Sequence, residues 1–473
     1  MTNNAIVMKL WNLCNVLRDD GISYHEYVTE LTYILFLKMA AEIGSENEIP
    51  LEYKWENLRK LDGIELRNVY QQMLLDLGKK DGDIGIIYRN AKTSINEPAN
   101  LKKIFVEIDK VDWYDVDRED LGDLYEGLLE KNSAEKKSGA GQYFTPRVLI
   151  SMMVRILKPQ LMEKIWDPAA GTFGFVIEAD RYLRNITDDY FGTKDIIVTD
   201  EMREFKDKEA FSACELVEGT HRLGTMNAFL HDVTGDFMQG DTLSEAGKRF
   251  KNFDLILSNP PFGTKSGGER ATRDDLVYAS SNKQLNFLEV IYRSLKLGGR
   301  AGVIVPDNVL FEGGVGKDIR VDLLNKCNVH TILRLPTGIF YAQGVKTNIL
   351  FFDRGKSDKG NTQKIWYYDL RTNMPNFGKT NPLSQEHLKE FEESYFNEKK
   401  KEELERWTLV TLEDIEKKDY SLDLGLIRDE SLIESENLPN PIESLEDSMD
   451  RLEEALDLLR GIVRELKDCG VDG

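Results

Sequence analysis

The string Asn259-Pro260-Pro261-Phe262 ends an apolar run, Phe253-Asp-Leu-Ile-Leu-Ser258, and its residue types suit the chemistry of a planar amine. An aromatic amino group is a poor nucleophile because its lone pair is delocalised into the ring, and it reacts only as the nitrogen turns tetrahedral. Asn259 offers an amide oxygen, and Pro260 offers a carbonyl in a segment stiffened by the fixed φ of two prolines. Two acceptors facing the two N–H bonds would stabilise the pyramidal, partly positive nitrogen more than the flat one, which is differential binding of the transition state. No carboxylate base is then required. Phe262 is placed to stack on a base that has left its duplex, where unstacking costs a few kcal/mol and an aromatic contact returns about 1–3 kcal/mol. Alone, the same string is also a competent strand-ending turn, since proline stops strands and asparagine favours turns. Its meaning depends on what stands upstream.

Upstream, Lys164-Ile-Trp-Asp167-Pro-Ala169-Ala170-Gly171-Thr-Phe173-Gly174 reads as a short strand, an acidic turn containing glycine, and the start of the helix Val176-Ile-Glu-Ala-Asp-Arg-Tyr-Leu. Glycine at the bend lets a ligand approach the backbone, and a helix N-terminus favours an anionic group such as a carboxylate. The three-glycine dinucleotide fingerprint is absent, so a nucleoside carrying an amino acid fits better than a pyrophosphate. An ordinary strand-to-helix turn is the plain alternative. Gly141-Gln142-Tyr143-Phe144-Thr145-Pro146-Arg147 precedes the strand, with Thr145-Pro146 a credible helix cap and first residue. Glu215, ahead of a helical pattern through Leu223, Met226, Asn227 and Leu230, is preferred as the carboxylate for two ribose hydroxyls. Asp200, at the end of Asp195-Ile-Ile-Val-Thr, competes for that role because it lies nearer the expected spacing from the glycines. Asp241 can accept from an adenine amino group.

In this order, Gly-Gln-Tyr-Phe-Thr-Pro, Asp-Pro-Ala-Ala-Gly-Thr, Glu-Leu-Val, Gly-Asp and Asn-Pro-Pro-Phe, the chain resembles the gamma-class amino-methyltransferases. More closely, it resembles the modification (M) subunits of type I restriction–modification systems, through most of its length. The resemblance implies a Rossmann-like fold and transfer of a methyl group from S-adenosylmethionine to N6 of a flipped adenine in double-stranded DNA. It also implies a complex in which a specificity (S) subunit reads the sequence, beside a second M subunit and a restriction (R) subunit. Gln142, Tyr143, Phe144, Thr145, Pro146 and Arg147, together with Ala169, Ala170, Gly171 and Glu215, fall on the family's cofactor motifs, and Asn259, Pro260, Pro261 and Phe262 on its catalytic one. Asp167 and Asp241 complete the expected cofactor set. One departure is Phe173, which stands where the family commonly has a small residue, and this bears on the methionine end of the pocket.

Composition adds what motifs do not. Lys and Arg number 62 against 83 Asp and Glu, a net charge of −21, whereas affinity for DNA comes chiefly from cations neutralising phosphates. A DNA enzyme this acidic should bind DNA weakly unless a local basic patch or a partner supplies the attraction. Lys265-Ser-Gly-Gly-Glu-Arg270-Ala-Thr-Arg273, directly after the tetrapeptide, is the local candidate; a solvated surface loop is its ordinary reading.

The elements that must position these residues divide the chain into about three domains by length. Residues 1–135 read as helical: Leu10, Trp11, Leu13, Cys14 and Leu17 make one stripe, and Ser23-Tyr-His-Glu26 is a capping box opening a helix from Tyr24 to about Ile43, stopped at Gly44. Its centre, Tyr33 to Ala41, is apolar nearly all round and should be buried. After a small, polar linker from Glu130 to Gly141, residues 136–380 alternate strand-like runs with helices. The strands are expected at Ile165, Leu255, Ala301–Pro306, Val329–Leu335 and Lys346–Phe352, and one helix from Asn286 to Leu297. This predicts an α/β domain with a mainly parallel sheet and an antiparallel pair, the last two strands, at one edge. Residues 381–473 read as helical and charged, too small for a DNA-reading domain. Their last helix, 441–467, keeps Ile442, Leu445, Met449, Leu452, Leu456, Leu459, Val463 and Leu466 at three-four spacing behind an Asn440-Pro441 cap, a coiled-coil-like seam expected to serve subunit assembly. Folding back on its own domain is the alternative.

Four well-separated cysteines without a CxxC, and five histidines without metal or triad spacing, predict no metal and a reduced, cytoplasmic setting. No long apolar signal or membrane span is expected. Three further readings stay open: a cytosine N4 methyltransferase, a protein-amide methyltransferase, each with a planar NH₂ as substrate, and a non-catalytic scaffold that binds cofactor only to assemble a complex.

Overall fold

The computed structural model describes residues 24–111, 145–262, 273–278, 280–340, 346–375, 377–378 and 381–423, the first six of them by backbone alone. The Ser23 half of the capping box, the first apolar stripe, Gln142, Tyr143 and Phe144, most of the Lys265–Arg273 loop and the whole 441–467 seam lie outside the described residues.

The N-terminal helix spans Tyr24–Glu42, and the chain turns at Gly44 with φ +68°, a conformation glycine adopts without strain. Leu31 to Ala40 are all buried, as expected of a helix apolar on every side. Helices Gly63–Leu77, Gly82–Tyr88 and Pro98–Asp109 close over it, the first capped by the Asp62 carboxylate and the last opened by a proline. Trp55 stacks on Phe105 at 5.0 Å in this core. Two side chains of the core come from elsewhere: Met226 and Leu230, on the helix Glu218–His231 of the sheet domain. From the same helix, Arg222 donates to the Tyr33 hydroxyl (2.6 Å) and the Arg89 carbonyl (2.6 Å). The helical region is therefore seated on an element that also borders the sheet.

Among the described residues the sheet has nine strands in the order β3-β2-β1-β4-β5-β7-β6-β8-β9. They are β1 (Ile165–Asp167), β2 (Phe211–Glu215), β3 (Asp236–Gln239), β4 (Phe253–Ser258), β5 (Leu295–Pro306), β6 (Cys327–Leu335), β7 (Thr347–Arg354), β8 (Lys364–Asp369) and β9 (Trp407–Thr411). Strands β1 to β5 run parallel, and β7 lies antiparallel between β5 and β6. The mainly parallel, helix-covered sheet of the sequence reading is present, and β6 and β7 pair antiparallel. That pair does not end the sheet, however: β8 joins β6 in parallel, and the antiparallel edge strand is β9. Because β9 follows residue 380, the sheet crosses the boundary drawn there. Its Trp-Thr-Leu-Val-Thr composition fits a pleated surface better than the charged helices around it. The helix expected to reach Leu297 spans Lys283–Ser294, with Asn282 capping it, and Leu295 already belongs to β5.

This order fixes where a ligand can sit. The chain leaves β1 for β2 on one side and returns to β4 on the other, so a crevice opens beyond the carboxyl ends of β1 and β4. Among the described residues no helix is long and apolar enough to cross a membrane.

Candidate active site

At the end of β1 the Asp167 carboxylate is buried, and its Oδ1 accepts from the Ala169 N–H (3.0 Å) and the Ser258 hydroxyl (2.8 Å). Burial pushes this carboxyl up to about 7; the two hydrogen bonds oppose that shift and the negative charge of Glu215 adds to it. The chain then turns through Ala169 and Ala170 to Gly171, whose φ of +56° suits glycine and whose Cα faces open space. Phe173 holds the less comfortable position, φ +66°, immediately before the helix Gly174–Thr187. Its ring is wholly buried, 4.9 Å from Phe237 and 5.5 Å from His221, in space left by Gly224. The bulky residue at this family position therefore fills a gap beneath the turn and leaves the turn's open side unobstructed.

The end of β2 brings Glu215 to the same turn. Its carboxylate accepts from Gly171 N–H (3.0 Å) and from Val217 N–H (2.8 Å), one bond to each oxygen. Burial raises its pKa, against those backbone donors. Each oxygen keeps a lone pair for a ligand. Asp241 lies beside it, since Gly240 N–H donates to the Glu215 carbonyl (2.9 Å) and Thr242 Oγ1 to the Pro168 carbonyl (2.5 Å). Asp200 is elsewhere: it opens the helix Asp200–Lys208 capped by Thr199, pairs with Arg203 (2.6 Å), and its side chain is fully exposed at 101%. Glu215 thus lies at the glycine turn, and Asp200 serves a helix N-terminus.

Across the crevice, β4 delivers Asn259. Its Nδ2 donates to Thr145 Oγ1 (2.9 Å), whereas its Oδ1 is buried without a hydrogen-bond partner among the described residues. Pro260 is buried, Pro261 and Phe262 half-buried, and the Phe262 ring meets Phe340 edge-to-face at 6.2 Å. Pro146 and Arg147 follow Thr145 as the start of the helix Arg147–Leu157. Hydrogen bonds therefore gather Thr145, Asp167, Ala169, Gly171, Glu215 and Asn259 at the carboxyl ends of the parallel strands, with Ala170 and Asp241 in the same turns. The loop candidate fares differently. Arg273, its one described member, is 5% exposed, forks onto Asp275 and donates to the Thr242 carbonyl, so it secures the turn after β3 and is not free to meet a phosphate.

Sequence reasoning missed Ser258 and Phe340. A polar residue closing an otherwise apolar strand was a usable signal for Ser258; for Phe340 nothing in the spacing marked it. Among the described residues no three His, Cys, Asp or Glu side chains gather for a metal, and Cys214 and Cys327 are buried free thiols.

Residues 116–435 match the family model for N-6 DNA methylases. The chain belongs to the N-6 DNA methylase family. Within it, this methylase is 44% identical to the methylase subunit of the type I restriction enzyme EcoKI from Escherichia coli K12, over 98% of this chain and 96% of that one. The crystal structure of the EcoKI M protein aligns over 98% of this chain and 96% of its own, with TM-score 0.57 and 40% identity. A chain solved in work on complex assembly and conformational transition of the type I restriction–modification system superposes over the full length of both, with TM-score 0.73 and 26% identity. The methylase is thus an enzyme of the type I modification-subunit kind, with the mostly parallel methyltransferase sheet such chains share.

Proposed function

We propose that this methylase transfers the methyl group of S-adenosylmethionine to N6 of an adenine flipped out of double-stranded DNA, through Asn259, Pro260, Pro261 and Phe262. The observation carrying this reading is the buried Asn259 Oδ1, which has no hydrogen-bond partner among the described residues. A buried acceptor left unpaired costs about 1–3 kcal/mol, and an incoming N–H bond is what relieves it. The residues opposite fit the donor: an open glycine turn and helix N-terminus for its amino-acid end, Glu215 for the ribose hydroxyls and Asp241 for the adenine amine. Bound there, S-adenosylmethionine supplies a methyl group on a cationic sulfur, which needs no metal to activate it.

Asn259 Oδ1 and the Pro260 carbonyl hold the two N6 hydrogens while the nitrogen becomes tetrahedral, and Phe262 stacks on the base. As the N–C bond forms and the S–C bond breaks, positive charge on nitrogen grows against the two oxygens, and water takes the proton afterwards. The chain's charge of −21 opposes DNA, so we assign DNA attraction and sequence choice to a specificity subunit. The 441–467 seam is its proposed docking element, in a complex with a second modification subunit and a restriction subunit. Asn259→Ala should leave cofactor affinity within about threefold but cut methyl transfer about 1,000-fold. Labelled transfer to DNA followed by nucleoside analysis checks both rate and product; an active Asn259→Ala enzyme, or label on cytosine, sinks the reading.

A further inference from the structure

We propose that Thr145 is a positioning residue for the catalytic asparagine, holding the Asn259 amide with its oxygen turned to the substrate amine. The inference rests on the role given to Asn259 above. Resemblance places Thr145 with the cofactor motifs, but the contact it makes is with the catalytic side chain: Asn259 Nδ2 donates to Thr145 Oγ1 at 2.9 Å.

The two ends of a primary amide are similar in shape and opposite in hydrogen-bonding sense. Free to turn about its terminal bond, Asn259 would present its NH₂ to the substrate in part of the population, and two N–H groups facing an amine repel. In this structure the Thr145 oxygen serves as the acceptor for Nδ2, which holds the amide plane and leaves Oδ1 on the other side. Thr145 is well placed for this. It stands immediately before Pro146 and the helix Arg147–Leu157, whose Leu149, Met152 and Met153 are buried in the sheet core. The hydroxyl is thus carried by a fixed element. Asn259 is also held from behind: Ser258, its neighbour in β4, donates to Asp167 at 2.8 Å. Backbone and amide are then fixed by different elements, and Oδ1 has no hydrogen-bond partner among the described residues. Holding a polar atom unsatisfied and aimed is the preorganisation that makes an acceptor effective as charge develops.

A misplacement on the order of 1 Å at a reacting group costs about 100-fold. In the full chain assembled with its specificity subunit, Thr145→Val should lower kcat about 10- to 100-fold and leave the dissociation constant for S-adenosylmethionine within about threefold. Thr145→Ser, which keeps the hydroxyl, should recover most of the rate. Asn259→Ala, measured alongside, separates the two claims: with it inactive, a Thr145→Val enzyme of normal kcat overturns the positioning role alone. Parallel loss of cofactor binding and rate in Thr145→Val would return Thr145 to the cofactor site, and failure of Thr145→Ser to recover the rate would make the packing of its methyl group the cause. Either outcome refutes the proposal.

Discussion

The two halves of the sheet are built to different ends. From β3 to β4 the strands are short, three residues in β1 and four in β3, and they run parallel so that every carboxyl end opens on one side. There the chain keeps features that cost stability: a buried carboxyl, an aromatic residue at positive φ and an amide oxygen with no partner among the described residues. The half from β5 to β9 holds the longest strands, twelve residues in β5 and nine in β6, with β7 antiparallel between them. Their outer face is closed by rings, Tyr368 against Trp407 at 4.9 Å and Phe391 against Trp407 at 5.6 Å. Long ladders and aromatic packing hold register; short strands present ends. The costly groups of one half persist because the other overdetermines the frame.

Removing Glu215 should show the largest loss of cofactor binding on the open half. Its carboxylate accepts from Gly171 and Val217, and charged hydrogen bonds to two further hydroxyls are worth about 1.5–3 kcal/mol each. Glu215→Ala should therefore weaken S-adenosylmethionine binding about 100-fold or more by calorimetry. Asp200→Ala, on the exposed helix start, should leave it unchanged. A larger effect at Asp200 than at Glu215 would reverse the assignment of the ribose acid.

The Phe173–Gly224 contact comes next. A Cβ at Gly224 would lie 2.8 Å from the Phe173 ring, so Gly224→Ala must displace it. Overpacking costs about 1–3 kcal/mol, and the better helix propensity of alanine returns about 0.5–1. Thermal unfolding should show Gly224→Ala less stable by about 1–2 kcal/mol. With Phe173→Gly already in place, which removes the ring and suits the positive φ, adding Gly224→Ala should cost nothing. Strictly additive effects would mean the two do not share that space.

Asp167 offers a pH handle on the same half. Its folded pKa, about 7, lies above the ordinary 3.8, so the folded chain holds the proton more tightly than the unfolded one. The stability this contributes is complete below about pH 4 and is lost as pH rises to about 7. Asp167→Asn, which keeps an acceptor for Ala169 and Ser258, should match wild type near pH 4 and exceed it at pH 8. A difference in Tm that does not change with pH would place the titration elsewhere.

How much of this was legible follows the same division. The strand ends at the tetrapeptide and at the Asp167–Gly171 turn were readable because proline, asparagine and glycine mark such turns locally. So were the long β5, β6 and β7 runs and the helix stopped at Gly44. Strand β3 was not, since its Asp-Phe-Met-Gln is exposed at both ends and has no buried alternation to read. Strand β9 was hidden by the charged helix Glu398–Glu403 just before it. Thr145 was assigned by its motif, yet its bond crosses 114 positions to Asn259, a distance at which spacing carries no information.

The closed half should answer substitution with stability and never with catalysis, and Lys401 tests this where the effect is smallest. Its ammonium lies over three rings, Trp407 at 4.7 Å, Tyr395 at 5.1 Å and Trp366 at 5.7 Å, and it is nearly buried. Burial pushes its pKa down to about 8, so the folded chain binds the proton less tightly than the unfolded one. Stability should therefore rise as pH passes from about 8 to 10.5, where the unfolded chain alone keeps the charge. Against that cost stands a cation–π attraction worth about 0.5–2 kcal/mol. The two oppose each other, so Lys401→Met, which preserves the bulk, should shift stability at pH 7 by no more than about 1 kcal/mol and abolish the alkaline rise. Methyl transfer should not change. A loss of more than about 2 kcal/mol would show that the rings hold the charge more strongly than burial opposes it, and any loss of kcat at full occupancy would mean that the closed half takes part in the chemistry.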